Sequence, residues 1–179
     1  PTGELKGPDA MTPVGRHVGF DRDLLATDEE GLRRFARLCV RKGVTTAADL
    51  GNALSPDAVA MMQRVTGEAG FPARIVSLRI LRGISPADAV ARALELRAMG
   101  GERLRLGMIK VVVDGSIQGF SARLRAPGYY NGSPNGLWYV APDQLRELFE
   151  RALEAGVQVH AHTNGDEATE LVLDTLEAA

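Results

Sequence analysis

The sequence predicts an α/β protein with about four or five parallel strands and flanking helices. Helical and strand patterns alternate along most of the chain, and the links between them are short. The two late strands are nearly continuous apolar runs. Short links between alternating elements imply parallel strands joined by right-handed crossovers. Continuous apolar strands are expected where both faces of a parallel sheet are covered.

The first helix of the alternation opens at Thr27, a cap residue, and carries Asp28, Glu29 and Glu30 where the helix dipole favours negative charge. Leu32, Phe35, Ala36, Cys39 and Val40 then recur at helical spacing, and Gly43 stops the run. Val44 to Leu50 is β-rich. Ser55-Pro56-Asp57 opens a helix through Ala69, with proline at the first helical position, and Gly70 closes it. Ala73 to Leu81 reads as a strand, Ser85-Pro86 to Met99 as a helix, and Arg105 to Val113 as a strand. A glycine-rich connection runs from Asp114 to Tyr139, a length that usually carries function. Ala141-Pro142-Asp143 to Ala155 is a helix, Val157 to His162 a strand and Asp166 to Ala179 a helix.

Composition narrows the function classes. A net charge of -2, with Lys and Arg scattered among Asp and Glu, gives no reason to expect nucleic acid or an anionic membrane as partner. No stretch approaches the roughly 20 apolar residues of a membrane span. Pro1 to Asp9 shows glycine, proline and charge where a signal peptide has an apolar run, so a cytoplasmic location is the default. Cys39 is the one cysteine, expected as a small buried residue.

Two strands hold polar residues where apolar ones belong. Alternation puts Met108, Lys110, Val112 and Asp114 on one face, and Ile109, Val111 and Val113 on the other. Lys110 is either a lysine at a sheet edge or paired with Asp114, or a lysine turned into a pocket. In the last strand Gln158, His160 and His162 face away from Val157, Val159 and Ala161. Two histidines near the C-terminal end of a parallel strand lie where α/β proteins place their sites, and neutral imidazole is a common metal ligand. A pair of core histidines satisfied by hydrogen bonds is the plainer reading. Asp49 adds a weaker candidate to the same lining.

Ile109-Lys-Val-Val-Val-Asp-Gly-Ser116, then Tyr130 and Gly136-Leu137, then His162-Thr-Asn-Gly-Asp-Glu-Ala168 together resemble the amidohydrolase superfamily. Gly43-Val-Thr-Thr46 with Asp49 is similar too, and the resemblance spans residues 1–179. The branch it most resembles includes N-substituted formamide deformylase. The resemblance implies a (β/α)8 TIM barrel with one or two divalent metals, commonly zinc, at its C-terminal face. It matches Lys110 to the family's often carboxylated lysine ligand and His162 to its first single histidine ligand. His160 is assigned to the pocket wall or to the support of the ligands.

It implies hydrolysis of an amide-type, non-peptide C–N bond in a small-molecule substrate. The metal lowers the pKa of bound water far below its bulk value, to about 7. A carbamate on Lys110 would turn a buried cation into an anionic ligand. Asp114, Ser116, Gln118, Arg123, Tyr130 and Trp138 border the expected pocket, with loop packing as the alternative for each. Asp166 is either part of the site or, preferably, the cap of the last helix.

The family's first-strand His-x-His pair is missing, since His160-Ala-His162 falls after the lysine, and the later histidine and aspartate are missing as well. The chain therefore reads as one piece, the central part of a barrel, inactive in isolation for want of a complete site. The competing reading is a non-catalytic α/β module with structural or metal-binding histidines. A phosphate-binding barrel ranks last, because Gly-x-x-x-x-Gly-Lys-Ser/Thr is absent. A partial barrel exposes sheet edges, and homo-oligomers formed through them are expected. Light scattering tests this: a clean monomer at micromolar concentration would contradict it.

Overall fold

The structure, a computed structural model, describes residues 3, 5, 7–19 and 28–179. A helix absent from the expected alternation, α1 (Gly7–Val18), precedes the repeated units. The order then runs α2 (Glu29–Arg41), β1 (Thr46–Asn52), α3 (Pro56–Thr66), β2 (Arg74–Ile80), α4 (Pro86–Ala98), β3 (Leu104–Arg105) and β4 (Ile109–Val112). It ends with α5 (Pro142–Glu154), β5 (Val159–His162) and α6 (Asp166–Ala178). The α/β class is as expected, a five-stranded sheet with helices in the connections. Contacts divide the chain into two compact units.

The sheet unit comprises Thr27–Lys110 and Glu150–His160. Its strands follow the order β1-β2-β4-β5, with β3 also on β2; the β1–β2, β2–β3 and β2–β4 pairs are parallel. Helix starts follow their capping chemistry. Ser55 accepts from the Ala58 N–H and Ser85 from the Asp88 N–H, each with proline just inside the helix. Thr27, the expected cap of α2, lies outside the described residues; Asp28 is the cap, accepting from the Gly31 N–H at 2.6 Å.

Leu32 and Ala36 of α2 pack with Val59, Met62 and Val65 of α3, Ile75 of β2, Leu96 of α4 and Leu104 of β3. Each of the Leu, Val, Ile and Met side chains contributes roughly 1.5–3 kcal/mol by leaving water. Cys39 is buried as expected. Phe35 and Val40 are exposed, because the buried stripe of α2 is narrower than its apolar pattern.

The expected strand from Arg105 to Val113 is two strands, and the break has a cause. Ile75 pairs with Leu104 and Val76 with Arg105, whereas Arg79 pairs with Ile109 and Ile80 with Lys110. The offset grows by one residue between the two ladders, the signature of a bulge. Gly107 sits in the interruption at φ +90. A Cβ there would stand 2.6 Å from Arg97 Cβ, so this backbone path admits only glycine. The extra residue re-aims the strand: Arg105 and Lys110, five positions apart, both align with even-numbered residues of β2 and share a sheet face.

The loop unit holds Val111–Phe149 and Ala161–Ala179 together with α1. Its buried apolar residues include Val111, Val113, Ala122, Leu145, Leu148, Phe149 and Ala168. The Val113 N–H donates to the His162 carbonyl and the Tyr139 N–H to the Val113 carbonyl, so both β5 and the end of the long loop are tied to the end of β4.

Candidate functional site

In the sheet unit the residue of interest is Lys110. It lies inside the sheet and not at an edge, since its strand is paired on one side with β2 and on the other with β5. The Leu81 N–H donates to its carbonyl at 2.7 Å, and the preceding Ile109 N–H donates to Gln158. Its side chain is only 6% exposed. The partner of Nζ is Nδ1 of His160 at 3.0 Å, and among the described residues no carboxylate forms an ion pair with it. A buried ammonium facing an imidazole loses hydration without gaining an opposite charge. Burial accordingly pushes its pKa below the ordinary 10.5.

Asp49 does not join this face. It aligns with Ser77 on β2, while Lys110 aligns with Ile80, and alternate residues of a strand face opposite sides. The Asp49 carboxylate instead accepts from Ser77 Oγ at 3.1 Å and from the Asn52 side-chain amide at 2.9 Å.

In the loop unit the centre is Asp114, which is fully buried at 0% exposure. Its Oδ2 accepts from the backbone N–H groups of Arg123 at 2.9 Å and Gly165 at 2.8 Å. Its Oδ1 accepts from the Asn164 N–H at 2.8 Å. Gly165 passes so close to the loop that a Cβ would lie 1.8 Å from the Arg123 carbonyl oxygen. No other residue fits there.

His162 is exposed at the end of β5, beside Asn164. The Asn164 side-chain amide donates to the Gly115 carbonyl at 2.8 Å and lies 3.0 Å from His162 Nε2. An NH2 group whose one hydrogen is committed to a carbonyl has the other to direct at Nε2. Asn164 thereby orients the histidine. Neither Asn164 nor Gly165 was singled out by residue type alone, yet the run His162-Thr-Asn-Gly-Asp166 contains both.

The long loop is tied down by its own polar residues. Arg123 stacks over Trp138 with 4.8 Å to the ring centroid, donates to the Gly136 carbonyl and pairs with Glu167 at 2.7 Å. Arg123 and Trp138 thus hold the loop to the start of α6. Ser116 Oγ accepts from the Gly119 N–H inside a turn, and Gln118 is exposed. Tyr130 is 100% exposed; its neighbour Tyr129 is the packed tyrosine, edge-on to Phe120 and donating to the Ala122 carbonyl.

Asp166 is the first residue of α6 and not its cap, a position held by Gly165. Its carboxylate accepts from the N–H groups of Arg125 and Glu167, and these bonds, the Arg125 one foremost, hold its pKa below the carboxylate range. Among the described residues no three His, Cys, Asp or Glu side chains gather into a metal-binding group. No helix among them is long and apolar enough to cross a membrane.

The lowered Lys110 pKa makes stability depend on pH with a definite sign. Below the folded value both states carry the proton and the burial penalty is complete. Between that value and 10.5 the unfolded chain keeps a proton that the folded chain has released, so folding gains as pH rises. Urea unfolding in metal-free, carbonate-free buffer should show the native chain gaining stability relative to Lys110→Met as pH climbs toward 10.5. A constant difference across that range would contradict the assignment.

Known proteins resemble this chain in sequence and in fold. YtcJ of Bacillus subtilis (strain 168) is 33% identical over 90 residues, 50% of this chain and 17% of that protein. Protein LONG AFTER FAR-RED 3 of Arabidopsis thaliana is 28% identical over 188 residues, 99% of this chain and 31% of that protein. The chain thus spans less than a third of either relative. Among solved structures, an uncharacterized metal-dependent hydrolase from Pyrococcus furiosus matches with a TM-score of 0.69 at 21% identity, covering 99% of this chain and 38% of that one. One from Pyrococcus horikoshii OT3 matches with a TM-score of 0.66 at 19% identity, covering 99% and 37%. These likenesses bear on the fold, the expected partial (β/α)8 TIM barrel. The Amidohydrolase family model matches residues 1–179, the whole chain, and the chain belongs to that family.

Proposed function

We infer that this chain contributes ligand positions to a metal-dependent hydrolase acting on an amide-type, non-peptide C–N bond. Lys110 in the sheet unit and His162 in the loop unit are those positions. The observation that carries the reading is Lys110: buried, without a carboxylate, and facing an imidazole. A lysine whose task is to remain an ammonium gains nothing from such a place. Family membership supports hydrolase chemistry, and the names of the two solved relatives support a divalent metal.

The donor chemistry fits such an ion. Lys110 is held toward its neutral amine, the form that adds to carbon dioxide: a new N–C bond gives a carbamate, and one proton leaves. His160 Nδ1, at 3.0 Å, is placed to take that proton. His162 offers an imidazole oriented by Asn164. When bound, a divalent cation, zinc in our reading, supplies the Lewis acidity for attack of water on the substrate carbonyl. Asp114 acts by position, fixing the loop and the start of α6. An N-substituted formamide is the proposed substrate type, on the branch resemblance, and the relatives' greater length leaves the remaining ligands to residues outside this chain.

Zinc or cobalt titration of the chain in bicarbonate buffer tests the reading. Lys110→Ala and His162→Ala should each weaken metal binding by at least about tenfold, the scale on which the surroundings of metal sites act. Equal metal affinity in the native chain and both variants would overturn it. Metal binding without hydrolysis of N-substituted formamides in any longer form of the protein would favour the non-catalytic α/β module instead.

A further inference from the structure

A second charged feature lies in the sheet unit, at the other end of its strands. An open cleft of about 960 Å³ is lined by Arg74, Arg97, Arg103 and Arg105, with Glu102 as its one carboxylate. The arginines come from separate elements: the start of β2, the end of α4, the turn before β3, and β3 itself. Met108 and Gln158 line it as well, each two residues before the Lys110–His160 pair. The cleft is thus reached from the N-terminal ends of the strands.

None of these four guanidinium groups pairs with a carboxylate among the described residues. Arg74 donates to the hydroxyls of Thr45 and Thr46. Arg97 donates to the Gly156 carbonyl and Arg103 to the Glu68 carbonyl, at 2.7 and 2.8 Å. Arg105 makes no hydrogen bond or ion pair among the described residues and is exposed. Elsewhere in the chain Arg33, Arg34, Arg37, Arg64, Arg92, Arg123 and Arg125 all pair with carboxylates. Hydroxyls and carbonyls orient a guanidinium without cancelling its charge, and each of the four keeps donors free.

Four such cations against one unpaired carboxylate repel one another at a cost that a bound anion removes. Guanidinium forks match a tetrahedral oxyanion closely, because two parallel N–H donors meet two oxygens of one group. Arg105 aligns with Val76 on β2 and so shares a face with Arg74, two residues earlier on that strand.

We propose that this cleft is a binding site for a phosphate-class dianion, either inorganic phosphate or the phosphate group of a small ester. It is built from arginines and uses no glycine-rich cradle. It is independent of the metal reading, since none of its arginines is a ligand position.

Calorimetric titration of the native chain with inorganic phosphate, and separately with glycerol phosphate, tests this at low ionic strength. Saturable binding in the millimolar range or tighter is expected, weakening as salt rises. Arg105→Ala, which disturbs no internal contact, should weaken it about tenfold or more, with Arg105→Lys falling between. Tighter binding of the ester would identify an organic phosphate as the ligand, and equal binding inorganic phosphate. No saturable heat with either ligand, or unchanged affinity in a folded Arg105→Ala, would overturn the proposal.

Discussion

Three backbone N–H groups converge on the two oxygens of Asp114, and the loop unit is organised around that convergence. Removing a carboxylate from water costs several kcal/mol. Hydrogen bonds to a charged acceptor return about 1.5–3 kcal/mol each, so three of them offset the cost without leaving a large surplus. The net yield is position. One side chain at the end of β4 fixes the path of the long loop through Arg123 and the start of α6 through Asn164 and Gly165. His162 then inherits its orientation from Asn164.

The sheet unit depends on a comparable economy at Gly107. One residue that tolerates φ +90 inserts a step between two ladders on the same neighbour, and the polar residues on either side come to share a face. Lys110 is then held in the middle of a sheet, where burial lowers its pKa from the ordinary 10.5. Arg105 is turned toward the cleft at the opposite strand ends. A buried lysine and an exposed arginine thus lie on one sheet face on either side of the same backbone irregularity.

Much of this was legible in the sequence. Serine–proline pairs marked helix starts that the structure keeps, because capping is local chemistry that later packing does not overrule. The alternation of His160 and His162 with apolar neighbours also held, since a strand paired in a sheet has only two faces. What escaped was non-local. The bulge follows from Gly107 meeting α4, which no strand pattern records. Arg123 and Trp138 looked like pocket residues by type, yet their partners, Glu167 and the Gly136 carbonyl, use them as a latch. Tyr130 and Tyr129 are indistinguishable by type, and only the fold decides which one packs. Asp166 resembled a cap, but the loop supplied the Arg125 N–H to its carboxylate and the helix began one residue earlier than a cap there allows.

The central claim is that the Asp114 carboxylate holds the loop and the strand end through their backbone. Residue-resolved amide hydrogen exchange on native protein and Asp114→Ala addresses it most directly. Exchange at Arg123, Asn164 and Gly165 is expected to accelerate by about tenfold or more in the variant, while the α3 amides stay protected. Unchanged protection at those three amides in a folded variant would contradict the account.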